Sequence, residues 1–415
     1  MTVATRRLDV PWLAQSPLGD LLVVLDCDGE EARVIGGAVR NTLLGEPHGD
    51  IDIATTARPD EVTRRVEATG FNAVPTGIEH GTVTVLVGNV PFEVTTLRED
   101  VKTFGRHAEV AFGRDWRRDA QRRDFTINAL SLARDGTVYD YVGGLEDIVE
   151  RRVRFIGDAT SRIAEDYLRI LRFFRFHAAY GHGPPDVAGV AACIAGRDGL
   201  EQLSRERVRI EMLKLLIARA PLPSLAVMTE AGLLEQVLGG VPFLAALANI
   251  RKLEASLQLV PDSVRRLAAL AVSVSEDAER LRQRLRLANA EFEQLASMAD
   301  GWWHIRREWS ERDARVLLYR LGRERFRDRV LLAWARSPDG RNDPAWRVLA
   351  TLPARWSAPA FPLRAKDFLD RGLARGPRLG AALRVAEEAW IAADFPADQA
   401  ALGAIADAAA GAASE

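Results

Sequence analysis

Two short stretches near the N-terminus carry the residue types of phosphoryl chemistry: Gly36-Gly37-Ala38-Val39-Arg40, and after a gap Gly49-Asp50-Ile51-Asp52-Ile53-Ala54-Thr55. A glycine pair closing the mostly apolar run Ala32 to Ile35 lets a backbone turn approach a phosphate closely. Leu43, Leu44 and Gly45 then predict a short helix and its stop. Asp50 to Ala54 predicts a strand, in which side chains at i and i+2 share a face, so that Asp50 and Asp52 project together, away from Ile51 and Ile53. Two adjacent carboxylates repel unless cations share them, and hard oxygen donors of this kind suit Mg²⁺. Asp-x-Asp alone is more often an acidic, solvent-facing strand. Combined with the glycine turn it describes a nucleotidyl transfer site.

Three further groups extend this chemistry. Glu93 lies on a predicted strand in Val90-Pro91-Phe92-Glu93-Val94-Thr95-Thr96, where a third metal-holding carboxylate and a plain surface acid weigh equally. Arg122-Arg123-Asp124-Phe125-Thr126-Ile127-Asn128 presents two arginines able to grip the sugar and phosphates of a nucleotide, with Asp124 holding their orientation, or else a solvated turn. In Glu165 to Ala179, read as one helix, Tyr167, Ile170, Leu171, Phe174 and Ala178 make a buried stripe, and Asp166 and Arg169 are neighbours at i and i+3. By base rate that pair is an ordinary ion pair. As a functional pair it offers an acceptor beside donors, which fits the edges of cytosine and adenine and rejects those of guanine and uracil. Arg172 and Arg175, drifting around the helix, suit phosphates better than a base.

The elements needed to hold these groups follow from pattern and composition. At 415 residues the chain exceeds one core and implies two to four domains. A content of 47% hydrophobic and 27% charged residues is that of an ordinary globular protein, without a membrane-length apolar run or a signal-peptide pattern. Cys27 and Cys193 offer neither a disulfide framework nor zinc spacing, which fits a reducing cytoplasm. The net charge of -2 decides nothing about nucleic acid. Up to Val142 strands and helices mix: helices at Leu21 to Leu25 and Asp60 to Ala68, strands at Arg33 to Ile35, Gly81 to Val87 and Pro91 to Leu97, then a polar, aperiodic loop from Arg98 to Arg118. From Ile163 the pattern is helical, including Ser204 to Ala218, Val264 to Arg286, Ala314 to Tyr319 and Leu379 to Ala392, and the Ala-rich tail from Ala400 is expected to fray.

Together these motifs resemble those of class II tRNA nucleotidyltransferases, the CCA-adding family that shares a superfamily with bacterial poly(A) polymerases. Gly-Gly-Ala-Val-Arg with Asp-x-Asp resembles the first motif, and Arg122 to Asn128 the second. Asp140-Tyr141-Val142-Gly143-Gly144 with Asp147 resembles the hinge, Glu165-Asp166-x-x-Arg169 the nucleotide-templating motif, and Ser204 to Lys214 the last. The resemblance implies an α/β nucleotidyltransferase head of the polymerase-beta-like kind at 1–150. It further implies a helical neck for nucleotide selection at 151–245 and a helical body and tail for tRNA at 246–415. It also implies roles: Gly37 and Arg40 on the triphosphate, Asp50 and Asp52 on Mg²⁺ with Glu93 as third carboxylate, Arg123 on the nucleotide, Asp166 and Arg169 on the base, and Arg172 and Arg175 completing the pocket. The loop from Arg98 to Arg118 corresponds to the one needed for the switch from C to A addition. Asn41 stands where the family has aspartate, which removes a local salt bridge.

The implied reaction adds CCA to the 3′ end of tRNA from CTP and ATP, with pyrophosphate released, in the cytoplasm and away from membranes. A poly(A) polymerase, an enzyme adding only A and a silent RNA-binding protein are the competing readings. Val153 to Asp158 lacks the basic pair such polymerases carry, and both aspartates are retained.

Overall fold

The computed structural model describes residues 3–77, 81–104, 107–338 and 342–414. Within them the chain divides into two compact units, one of residues 1–244 with 283–287, the other of 245–282 with 288–415.

In the first unit eight short strands make one mixed sheet: β1 (Ala4–Arg7), β2 (Ala32–Ile35), β3 (Asp52–Thr55), β4 (Asn72–Gly77), β5 (Thr82–Val87), β6 (Val90–Thr96), and, after β7 (Arg98–Phe104) and β8 (His107–Phe112), β9 (Ser131–Ala133) and β10 (Thr137–Asp140). Their order is β1-β10-β9-β2-β3-β6-β5-β4. β3 and β6 run parallel, and the other neighbours are antiparallel. All four residues of β2 are buried, as a central strand covered on both faces requires. β5 alternates instead, burying Val83, Val85 and Val87. The helices α1 (Leu18–Leu25), α2 (Gly37–Leu44) and α3 (Pro59–Ala68) bury Leu21, Leu22 and Leu25, Ala38 and Val39, and Val62 and Val66 respectively. In α3 proline at the first position and Asp60 and Glu61 in the first turn suit a helix start.

The stretch from Arg98 is not an irregular loop. β7 and β8 pair antiparallel as a separate two-stranded sheet, from Arg98 opposite Phe112 to Phe104 opposite His107, and α4 (Trp116–Gln121) follows, capped by the Asp115 carboxylate. Ala108, Val110 and Phe112 recur at every second position, a short strand signal inside an otherwise polar stretch.

The rest of this unit is helical: α5 (Gly144–Val149), α6 (Ala159–Glu165), α7 (Leu168–Tyr180), α8 (Val187–Ala195), α9 (Arg205–Ile217), α10 (Pro221–Glu230) and α11 (Leu233–Leu238). α7 is the pivot. Ile170, Leu171, Phe174 and Ala178 of the expected stripe are buried, Tyr167 only partly, and Phe173, Phe176 and His177 are buried as well. The added burial arises because Phe173 and Phe176 meet Phe125 and Phe155 in one aromatic cluster, with ring centroids 4.9–6.3 Å apart. That cluster ties the Arg122–Asn128 segment to α7.

The second unit consists of α12 (Leu244–Ser256), α13 (Ser263–Ala271), α14 (Ser275–Leu285, its last turn grouping with the first unit), α15 (Asn289–Ala299), α16 (Glu311–Leu321), α17 (Arg323–Arg336), α18 (Pro344–Arg355), α19 (Ala365–Leu369), α20 (Pro377–Ala392) and α21 (Gln399–Ser414). Val264 to Arg286 is thus two helices, not one; the Asp277 carboxylate accepts the N–H groups of Ser273 and Val274 and starts the second. The Ala-rich tail does not fray. Ala406, Ala409 and Ala410 of α21 are buried with Ala382 and Ala386 of α20 and Phe368, because small side chains let two helices approach closely.

Candidate active site

Gly36 closes β2 with φ +67°, a conformation L side chains rarely adopt, and turns the chain into α2. A side chain at Gly36 would stand 3.8 Å from Arg123 Nη1, and one at Gly37 3.7 Å from Arg40 Nη2. The glycines therefore leave a gap between two guanidiniums. Arg40, on α2, is buried; it donates to Asn128 Oδ1 (2.5 Å), to Tyr180 Oη (2.7 Å), and through both Nε and Nη2 to Asn41 Oδ1 (3.1 and 2.9 Å). The Tyr180 ring lies under its guanidinium at 3.8 Å. The salt bridge that an aspartate would make at position 41 is absent, replaced by this neutral acceptor, while Asn41 Nδ2 donates to Pro47 O.

The acids lie one residue away in register. Ile35, just before Gly36, pairs with Asp52, and Asp52 pairs with Glu93 across the parallel β3–β6 ladder. Asp52 and Glu93 are exposed while Ile53 and Val94 are buried, so both carboxylates leave the same open face. Asp50 is not in the strand. β2 ends at Ile35 and leaves Asp50 and Ile51 without ladder partners, and Gly49 enters the bend with φ +71°. The shared strand face therefore applies to Asp52 and Glu93 rather than to Asp50 and Asp52. Crowding by surrounding protein, then Glu93 and Asp50, push the Asp52 carboxyl above its ordinary range, against the pull of Arg123. Among the described residues no three acidic, histidine or cysteine side chains form a ready-made cage for a metal. An oxygen-only, charge-crowded pair fits a divalent ion of the Mg²⁺ type, which is held by one or two carboxylates plus substrate phosphates.

Beside the glycine turn lies a cavity of about 350 Å³, lined by Gly36, Gly37, Arg40, Arg123, Asp124, Asn128, Arg172, Arg175, Phe176 and Tyr180. Arg123 is held by Asp119 (3.0 Å), which also holds Arg122, whereas Asp124 holds Arg172 (2.5 Å). The expectation that Asp124 orients Arg122 and Arg123 is thus corrected: Asp119 lies one helical turn before both. Burial alone would raise the Asp119 and Asp124 carboxyls, yet the adjoining guanidiniums hold both below the usual range. Arg175 is paired with Glu211 of α9. A larger open cleft of about 1050 Å³ near Tyr141, Arg154 and Arg162 contains neither the glycine turn nor the acids.

Asp166 and Arg169 do not form the expected pair. Asp166 breaks the helix with an extended backbone (φ −156°, ψ 106°), its Oδ1 accepting the Leu168 N–H. Its Oδ2 takes a 2.6 Å bond from Arg207 Nη2 of α9, and Arg169 pairs with Glu165 and donates to Arg162 O. Each is partly exposed and already oriented by a third residue. Asp119 and Tyr180 lie beyond the sequence reading, and Arg207 enters it only as part of the Ser204 to Lys214 motif; the i, i+4 spacing of Asp119 and Arg123 is a usable signal, while nothing local marks Tyr180 or the pairing of Arg207 with Asp166.

Residues 32–154 match the family described as the poly(A) polymerase head domain, and 190–247 the one described as a probable RNA- and SrmB-binding site of polymerase A. The chain is 33% identical to the mitochondrial CCA tRNA nucleotidyltransferase 1 of Danio rerio, over 87% of its own length and 83% of the relative's. It is 32% identical to the CCA-adding enzyme of Limosilactobacillus fermentum, over 88% and 90%. The crystal structure of the Bacillus stearothermophilus CCA-adding enzyme in complex with CTP superposes with a TM-score of 0.71, at 27% identity over 92% of this chain and 93% of that one. The glycine turn, the register-paired acids and the arginine-lined cavity therefore sit in a chain that belongs to the CCA tRNA nucleotidyltransferase family.

Proposed function

We infer that the protein adds CCA to the 3′ end of tRNA, taking CMP from CTP and AMP from ATP. Identity to CCA-adding relatives over nearly nine-tenths of the chain carries this reading and disfavours poly(A) synthesis or A-only addition. Incubation with tRNA lacking its 3′ CCA and each labelled nucleotide tests it: C from CTP alone and A after C support it, whereas long A runs or A alone refute it.

In this reading residues 1–150 are the catalytic head, 151–245 the neck that selects the nucleotide and 246–415 the body and tail that hold tRNA. The division of the chain near residue 244 is consistent with it. The turn at Gly37, with Arg40 and Arg123, binds the triphosphate, and Arg172 and Arg175 complete the pocket. Asp50 and Asp52, with Glu93 beside them, hold Mg²⁺, which neutralises phosphate charge during transfer. The tRNA 3′-hydroxyl oxygen bonds to the α-phosphorus, the bond to the bridging oxygen breaks, the hydroxyl proton passes to water and pyrophosphate leaves. With the reactants so placed, positioning and charge supply most of the catalysis. Both cysteines are free, and we assign the enzyme to a reducing compartment, the cytoplasm.

Asp166 and Arg169 read the base edge in place of a template strand. Arg207 keeps Asp166 an oriented acceptor, and Glu165 does the same for the donor Arg169. Removing one partner of a charge-assisted contact costs about 1–3 kcal/mol. Asp166→Ala is therefore expected to weaken C and A incorporation roughly ten- to a hundredfold and to narrow the gap to U and G. Steady-state incorporation of all four nucleotides checks this, and an unchanged selectivity profile refutes it. Shortening the β7–β8 hairpin is expected to leave CC addition and impair the final A; equal loss of both assigns the hairpin a structural role only.

A further inference from the structure

The four arginines of the cavity are not equivalent. Arg123 is neutralised by Asp119, Arg172 by Asp124 and Arg175 by Glu211. Arg40 makes no ion pair among the described residues: its four hydrogen bonds go to the neutral oxygens of Asn41, Asn128 and Tyr180, and its face lies on the Tyr180 ring. A buried cation with no carboxylate in contact is costly, and burial pulls the Arg40 guanidinium below its ordinary value, only partly offset at longer range by Glu46 and Asp124. The three neutral contacts fix its position without cancelling its charge. An anion entering beside Gly37 relieves that cost directly, through charge-assisted bonds stronger than those to amides.

We propose that Asn41 is the residue that reserves this charge: by being an amide rather than an acid where it grips Arg40, it sets the cavity's affinity for the polyphosphate limb of the nucleotide, independently of the base. Asn41 Nδ2 also donates to Pro47 O, a bond that aspartate and alanine at this position both lose, so it does not separate those two variants. Asn41 acts through Arg40 and is a positioning residue.

This rests on the reading of Arg40 as a triphosphate ligand, and the test separates the two. Inorganic tripolyphosphate, which has no base, is used as a competitive inhibitor of C addition to tRNA lacking CCA. In Asn41→Asp the side chain keeps its shape and its acceptor but pairs with Arg40. Its tripolyphosphate inhibition is expected to weaken about tenfold, and KM for CTP and ATP to rise in parallel, with kcat at saturating nucleotide within about threefold of the parent. Asn128→Asp, which sets a carboxylate against the same guanidinium from another element but also against Asp124, to which the amide donates at 3.3 Å, is expected to weaken inhibition at least as much and serves if the first variant fails to fold. Asn41→Ala, neutral but truncated, is expected to keep tripolyphosphate inhibition within about threefold of the parent. A merely structural role gives the reverse order, with alanine worse than aspartate. That order, or equal inhibition of the parent and Asn41→Asp with addition intact, overturns the proposal alone. A parent protein that adds nothing to tRNA overturns the functional reading as well.

Discussion

Asp52→Ala is expected to lower transfer of both CMP and AMP by at least about a thousandfold, because preorganised charge at the reacting phosphate is worth roughly a hundred- to a thousandfold by itself, and losing a metal ligand adds to that. The fold should not suffer. The Asp52 carboxyl is crowded first by surrounding protein and then by Glu93 and Asp50, so it is held above the ordinary range. An acid with a raised folded-state value costs stability once the pH is above that value, and the cost is relieved as pH falls through it. Asp52→Asn in EDTA at neutral pH is therefore expected to melt no lower than the parent, while losing activity. Near-parental turnover in Mg²⁺ removes Asp52 from the centre. A lower melting temperature gives it a structural role instead.

The second large effect lies far from the chemistry. Glu254 of α12 is buried and accepts from Arg265 Nη1 and Arg266 Nε, both at 2.8 Å; Arg265 Nε in turn donates to Asp328 of α17 at 2.7 Å, and Gln294 of α15 satisfies the other Asp328 oxygen. Four helices of the second unit thus meet on one buried charge network. Such networks add little over a well-packed apolar core, but breaking one by removing a single partner leaves buried charge uncompensated, at about 3–5 kcal/mol. Glu254→Ala is expected to lose that much in urea unfolding followed by tryptophan emission, since seven of the nine tryptophans lie in this unit. A change below about 1 kcal/mol means the guanidiniums reach water and the network is not closed.

The motifs, their chemistry and most elements of the head could be read in the chain itself, because they are local: a glycine pair after an apolar run, alternation in β5, helical spacing in α7. The burial of Ile53, Val83, Val85, Ile170 and Phe174 follows directly from those periods. The helical character of the second half is equally local. Its breaks are not, for they depend on single acids such as Asp166 and Asp277 capturing backbone N–H groups, which any acid in a helical pattern could do or fail to do.

Pairing between distant side chains was decided by the tertiary structure alone. Asp50 and Asp52 suggest one strand face in sequence, yet where β2 turns away at Gly36 determines that only Asp52 enters the ladder, with Glu93 as its neighbour. Asp166 and Arg169 suggest each other, yet α9 supplies Arg207 and Glu165 lies closer to Arg169. Arg40 meets Tyr180, 140 positions away, because the Phe125–Phe155–Phe173–Phe176 cluster brings α7 against the head. Residue types and spacing thus determined which chemistry this protein can do. Local spacing already pairs Asp119 with Arg123 and Glu165 with Arg169. The packing of α7 against the head and against α9 determined that Arg172 meets Asp124, that Arg175 meets Glu211 and that Arg40 meets only neutral oxygens, since a guanidinium pairs with whatever oxygen the fold places within about 3 Å.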